Sequence, residues 1–160
     1  MCIRDSRKTD YLQNRIIFIH TPTQISGNAK INTFEASVCA SVLKDLCEIY
    51  EKNNIPVTSQ SFGIITPFRA QIAQIRKHIL DDTPEMEPNV TIDTVERYQG
   101  GARDVILLSL CANNMNQLQR ITSLNVGGID RKMNVSLTRA REQIIMIGNK
   151  NVLELSLIHI

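Results

Sequence analysis

Short apolar runs alternate with amphipathic stretches along this chain. Uninterrupted apolar residues predict buried strands at 16–19, 64–65, 105–110 and 144–147, and a short strand is also expected at 90–93. Polar or proline-containing segments separate the runs, including 81–89 and the glycine-bearing stretch 112–129. Strands without internal polar alternation are typical of a parallel sheet that is covered on both faces.

The segment 32–50 carries the strongest helical pattern. Apolar residues recur there every three or four positions, which predicts one buried stripe: Phe34, Val38, Val42, Leu46 and Ile49. We expect Val38, Val42 and Leu46 to be buried. Asn32 followed three positions later by Glu35 has the spacing of a capping box at the start of this helix.

Two further helices complete the alternation. Pro67 stands at the position that proline tolerates best, before a helix over 68–80 that turns Ile72, Ile75 and Ile79 inward. A short helix over 131–140 and a turn from 151 follow. The pattern predicts an α/β fold with three layers, a mainly parallel sheet between helices.

Composition narrows the class of protein only slightly. The 160 residues are 42% hydrophobic and 21% charged with a net charge of +2, which fits one globular domain and does not by itself indicate nucleic-acid binding. The four cysteines form no C-x-x-C pair and predict no zinc site or disulfide framework. Cysteines on predicted helices and strands are typical of reduced, buried thiols, so we expect a cytoplasmic protein without a metal centre of its own. No stretch reaches the 18 or so apolar residues of a membrane span.

Both ends break the pattern. Residues 1–6 and 155–160 continue no periodicity and resemble translated adapter sequence, so we expect them to be non-native and the domain to occupy residues 7–154.

Two polar loops next to apolar strands carry the candidate chemistry. The first, 94–104, contains Gln99 and Gly100, and a glycine allows close backbone approach to an anion. The second, 130–141, contains Arg131 and Arg139, and arginine matches the geometry of phosphate oxygens. Taken alone, the two loops are better explained by a tight glycine turn and by a solvated basic face with Asp130 and Glu142 as partners. In parallel sheets ligands gather beyond the carboxyl ends of the strands, so we expect the loops at 66–69, 94–100 and before Arg139 to meet at that side or at an adjoining interface.

Four segments, in order, resemble motifs of superfamily 1 helicases, in the group of the nonsense-mediated-decay and Okazaki-fragment-processing helicases. Residues 32–36 (NTFEA) are similar to the N-x-x-E-A helix start, and 63–71 (GIITPFRAQ) to the G-I-I-T-P-Y-R-A-Q element. Residues 94–104 resemble motif V, and 130–141 resemble motif VI with its N-V-A-L-T-R-A-R core. The resemblance spans roughly residues 16–149 and implies the second RecA-like domain of a helicase core, a P-loop NTPase-type fold.

The resemblance also implies roles for individual residues. Arg139 corresponds to the arginine finger that stabilises phosphoryl transfer, with Arg131 as a second catalytic candidate. Nucleotide contacts are implied for Gln99 and Gly100. Asn32 and Glu35 are also candidates for a nucleotide contact, although the capping box explains their spacing fully. Contacts with a single strand of DNA or RNA are implied for a third set: Thr66, Pro67, Arg69 and Thr94.

Several departures from the family pattern bear on activity. Ala102 stands where the family has a glutamate, and Thr33 where some members have an arginine. No G-x-x-x-x-G-K-[ST] P-loop occurs and no strand ends in an Asp-Glu pair. ATP with Mg²⁺ would therefore be held mainly by a first RecA-like domain of the same parent chain, and we expect these 160 residues alone to be inactive.

Three functional classes compete. The first is the C-terminal motor domain of an ATP-dependent helicase that moves along single-stranded nucleic acid, with DNA favoured over RNA. The alternative is a non-catalytic nucleic-acid-binding or regulatory module with the same fold, and an upstream P-loop would separate the two. A small-molecule α/β enzyme is disfavoured, because the sequence shows no nucleophile–base set and no dinucleotide fingerprint.

Overall fold

The computed structural model describes residues 11, 13–24, 30–98, 101–114, 116–117 and 131–158, without the side chains of 131–133 and 155–158. Strands and helices alternate from β1 to α4. They are β1 (Ile16–His20), α1 (Thr33–Lys52), β2 (Phe62–Thr66), α2 (Arg69–Asp82), a 3₁₀ segment (Pro84–Asn89), β3 (Val90–Thr94), β4 (Arg103–Ser109), α3 (Arg131–Thr138), β5 (Ala140–Gly148) and α4 (Lys150–Ile158).

The five described strands form one sheet in the order β1-β5-β4-β2-β3, and every neighbouring pair is parallel. The predicted α/β architecture with a parallel sheet is therefore confirmed. The middle strand β4 pairs with β5 on one side and with β2 on the other. All five residues of β2 are buried, as a strand covered on both faces requires.

Two apolar clusters cover the two faces of the sheet. Helices α1 and α2 pack on one face, where Leu43, Leu46 and Ile75 join Ile64 and Leu107 of the strands. On the other face lie the turn after β3 and α4, which bring a second set of side chains against the sheet: Val95, Tyr98 and Leu153. Because parallel strands start together, one edge of the sheet carries all the strand starts and the opposite edge all the carboxyl ends.

Helix α1 begins and ends at asparagines. The Asn32 side chain accepts a hydrogen bond from the Glu35 backbone N–H, which confirms the predicted N-cap. At the other end Asn53 is the C-cap, and Asn54 adopts a left-handed φ of 55°. The predicted stripe is wrong at its start, since Phe34 is exposed and Val38 only partly buried, whereas Val42 and Leu46 are buried as expected.

Several predicted boundaries differ from the structure. Strand β5 starts at Ala140 rather than at 144, and the expected turn from 151 is the helix α4, which continues through residues 155–158. The segment 84–89 forms 3₁₀ turns in place of a loop. Most of the predicted excursion 112–129 lies outside the described residues.

Candidate functional site

The structure separates the predicted site residues into two places. Thr66 ends β2 and Thr94 ends β3, with Pro67 and Arg69 directly after β2, so all four lie at the carboxyl edge. Arg139 directly precedes β5, and its carbonyl accepts a hydrogen bond from the first residue of β4, so it lies at the opposite, amino edge. The first group therefore lies at the carboxyl side, whereas Arg139 lies at the opposite end of the strands.

A groove of about 520 Å³ opens at the carboxyl edge. Its walls come from the segment before α1, from the start of α2 and from the turn after β3, and are formed by Lys30, Pro67, Phe68, Arg69, Ala70, Thr94, Glu96 and Arg97. Three cationic side chains and one carboxylate make the groove net positive. Helix α2 starts here with no side chain capping it among the described residues. The Gln71 N–H donates to the Phe68 carbonyl, but the positive end of the helix dipole still favours an anion at this helix start.

Thr66 does not reach the surface of this groove. Its side chain is 0% exposed, and its hydroxyl has no hydrogen-bond partner within the described part of the chain. A direct contact between Thr66 and a bound strand, as the resemblance implies, would need β2 to open. Pro67, Arg69 and Thr94 line the groove directly.

Asn32 and Glu35 lie in a buried polar network behind the groove. Both side chains are 0% exposed, so neither can touch a nucleotide without rearrangement. The capping box is only half formed, because the Asn32 N–H donates to Oε1 of Gln71 at 2.8 Å and not to Glu35. Nε2 of Gln71 in turn donates to the Asn32 carbonyl at 2.9 Å, so the two residues join the starts of α1 and α2.

The Glu35 carboxylate connects that pair to the end of β4. Its Oε2 accepts hydrogen bonds from the Ser109 hydroxyl and from the Cys111 N–H, both at 2.8 Å, and its Oε1 accepts from Nδ2 of Asn32 at 3.2 Å. Cys111 has a left-handed φ of 51°, unusual for a residue with a side chain. Burial raises the pKa of Glu35 to about 7, although the bonds from Cys111 and Ser109 favour the charged form.

Because the pKa of Glu35 is raised in the folded state, we expect this group to make the domain more stable at low pH than at high pH. The unfolded carboxyl loses its proton near pH 4.5 and the folded one near 7, so the contribution is full below pH 4.5 and is lost as pH rises through 7. We expect the free energy of unfolding to fall by up to about 3 kcal/mol from this group across that range. Urea unfolding at pH 4.5 and 8 should show that fall in the wild type and a smaller one in Glu35→Gln. Equal pH dependence in the two proteins would contradict the assignment.

At the amino edge, Arg139 lies near two residues that the sequence did not single out. Tyr98 is 2% exposed, and Arg103 and Arg139 both lower its pKa, against a larger rise caused by burial. Among the described residues, Nε of Arg139 is buried without a hydrogen-bond partner. Arg139 as a whole is only partly buried, and a planar, charged guanidinium is suited to bind phosphate oxygens.

Other predicted site residues cannot be placed. Gln99 and Gly100 lie outside the described residues, as does the Arg131 side chain, although Arg131 begins α3. Gly101 has a φ of 84°, a conformation that side chains rarely adopt, so the loop does use its glycine. Within the described residues no group of three or more His, Cys, Asp or Glu side chains could hold a metal ion. No helix there is long and apolar enough to cross a membrane.

Sequence reasoning missed several residues of both places. Gln71 stood inside a recognised motif, but its amide carried no signal that it would pair with Asn32. Ser109 stands in the apolar run 105–110 and Arg103 in the loop 94–104, and the sequence singled out neither. Buried polar residues of this kind are found only when the partners across the fold are known.

Known proteins resemble the chain over most of its length. The AAA domain family matches residues 3–151. The DNA replication ATP-dependent helicase/nuclease JHS1 of Arabidopsis thaliana is 34% identical over 79% of the chain, and the DNA polymerase alpha-associated DNA helicase A of Saccharomyces cerevisiae 33% over 71%. Regulator of nonsense transcripts 1 of Dictyostelium discoideum is 33% identical over 80%. The chain spans 8%, 15% and 9% of the length of these three relatives, respectively.

Proposed function

The chain belongs to the AAA domain family of superfamily 1 helicases, and on that premise we propose that it is the C-terminal RecA-like motor domain of an ATP-dependent helicase. The observation that carries the proposal is the division of the motif residues between two edges of one sheet. A groove with positive charge lies at one edge and the motif VI arginine at the other. A motor needs both a track for the strand and a separate place for the nucleotide.

The groove at the carboxyl edge is the proposed track. Lys30, Arg69 and Arg97 can neutralise backbone phosphates, and Phe68 offers an aromatic surface for a base. The 520 Å³ volume and the open shape suit an extended single strand rather than an enclosed small molecule. One relative is named a DNA helicase and another a DNA replication helicase/nuclease, each over a larger share of the chain than the relative named a probable RNA helicase, and this supports DNA as the proposed substrate.

The amino edge is the proposed nucleotide side. The parent protein's first RecA-like domain would hold ATP and Mg²⁺, which supply the reacting phosphoryl group and its counter-charge. Arg139 would donate to the γ-phosphate oxygens as the two domains close, and Gln99 with Gly100 would contact the nucleotide from the adjoining loop. Closure of the two domains would bring the Arg139 guanidinium next to the negative charge that develops on the phosphoryl group in the transition state.

Binding to a labelled single-stranded oligonucleotide tests the track. We expect Arg69→Ala to weaken binding by the 160-residue chain and to lower the slope of log affinity against log salt by about 1, because one phosphate contact is lost. Fluorescence anisotropy at several salt concentrations measures both quantities.

Arg76→Ala is the matched control for that measurement. Arg76 lies two turns further along α2 and faces Glu87 at 4.0 Å. It should leave both affinity and slope almost unchanged. If Arg69→Ala and Arg76→Ala behave alike, the groove is not the track.

A further inference from the structure

Arg103 is a buried arginine that connects the two loops at the amino edge. It is the first residue of β4 and is 6% exposed. Its backbone N–H donates to the Arg139 carbonyl at 2.9 Å, so the finger's own peptide group is fixed by this residue. The strand register is irregular directly afterwards, between Arg103 and Val105.

The side chain of Arg103 holds the other loop. Its Nη2 donates to the Thr91 hydroxyl at 3.0 Å and its Nη1 to the Ala102 carbonyl at 3.3 Å. The guanidinium carbon lies 5.9 Å from the centre of the Tyr98 ring, within the range of a cation–π contact. One residue therefore contacts Tyr98, Ala102 and the Arg139 backbone.

Tyr98 gives this arrangement a rigid base. Its backbone N–H donates to the Thr94 carbonyl at 2.9 Å, and its ring lies against β2. A Cβ added at Gly63 would lie 1.9 Å from the Tyr98 hydroxyl, so the ring occupies the space that only a glycine leaves open. The ring cannot shift toward the strand, and Arg103 rests on a fixed surface.

We propose that Arg103 is a positioning residue for Arg139. The contacts of its side chain with Thr91, Ala102 and Tyr98 fix the place of its backbone, and its backbone N–H in turn holds the Arg139 peptide group where hydrolysis requires it. The inference rests on the proposed function for the role of Arg139 and adds the residue through which that role is set. Arginine suits the position because its planar fork can bond to Thr91 and Ala102 while its face lies on Tyr98. Lysine would keep the charge but could not make these contacts together.

A double-mutant cycle with Arg139 tests the proposal in the full-length protein that carries this chain. We expect Arg103→Met to lower kcat by about 10²-fold, the typical cost of a misplaced catalytic group, with KM for ATP changed much less. Arg103→Lys should recover only part of the loss. In an Arg139→Ala background, Arg103→Met should cause almost no further loss, because it acts through the residue already removed.

The cycle separates this inference from the proposed function. If Arg139→Ala lowers turnover and Arg103→Met lowers it by the same factor in both backgrounds, Arg103 acts independently and the positioning role is overturned. If Arg139→Ala has no effect on turnover, the proposed function itself fails at this residue. Arg141→Met is the matched control, since Arg141 lies two residues on and pairs with Asp104 at 3.3 Å.

Nuclear magnetic resonance of the 160-residue chain gives a second readout without ATP. Arg103→Met should shift the backbone amide signals of Arg139, Gln99 and Gly100 while leaving that of Arg69 in the groove unchanged. Unchanged signals at Arg139 and Gln99 would overturn the coupling. Shifts spread over the whole chain would show general unfolding and would equally contradict a local positioning role.

Discussion

In the full-length protein, Arg139→Ala should lower the rate of ATP hydrolysis by roughly 10³–10⁵-fold, the range in which arginine fingers act. Nucleotide affinity should change far less, because the finger acts mainly on charge that develops in the transition state. The partly exposed side chain and the backbone carbonyl held by the Arg103 N–H fit a guanidinium that can reach a ligand from a fixed position. Single-turnover hydrolysis, measured with equilibrium nucleotide binding, separates the two effects.

Two further variants test whether the loss of turnover is specific to the guanidinium of Arg139. Arg139→Lys should recover little activity, because an ammonium cannot offer the planar pair of donors. Arg141→Met should keep nearly full turnover, since its exposed pair with Asp104 contributes little. If turnover survives Arg139→Ala and is lost in Arg131→Ala, the finger is Arg131.

The parallel sheet followed from the sequence because its signal is local. A buried strand with both faces covered must be apolar throughout, and 64–65, 105–110 and 144–147 show that directly. Boundaries were less accurate where polar residues belong to strands. Arg103 extends β4 and residues 140–143 extend β5, and the polar side chains at 103 and 141–143 are not part of an apolar run that would predict a strand.

The placement of the site residues did not follow from sequence. Motif V starts at the carboxyl edge with Thr94 and ends at the amino edge with Arg103, so one continuous motif contributes to both places. Motif order along the chain gives no sign of this crossing, which depends on the path of the turn over β2. The roles assigned by resemblance to Arg139, Gln99 and Gly100 stay predictions.

Asn32 and Glu35 show the limit of motif spacing in another way. Their three-residue separation predicted the N-cap correctly, since that bond is made within one helical turn. The partner of the carboxylate lies 74 residues later, at Ser109, and no local pattern could predict it. What was interpreted as a complete capping box is therefore a link between α1, α2 and β4.

The same link predicts the largest loss of stability. Glu35→Ala would take an acceptor away from three buried donors. The Ser109 hydroxyl and the Cys111 N–H would be left without one, whereas Nδ2 of Asn32 would keep Oδ1 of Asn113 at 3.3 Å. Each such donor costs about 1–3 kcal/mol, and some relaxation is shared, so we expect the free energy of unfolding to fall by about 4 kcal/mol. That is a large part of the total stability of a domain of this size.

Urea unfolding of the 160-residue chain at pH 7 measures this loss. Glu51→Ala is the matched control, because Glu51 is exposed on the same helix, and it should stay within about 0.5 kcal/mol of the wild type. Glu35→Gln should fall between the two, since its amide oxygen can still accept from one of the three donors. A loss in Glu35→Ala no larger than in Glu51→Ala would mean that the three donors find other acceptors, and that the carboxylate does not hold the helices to β4.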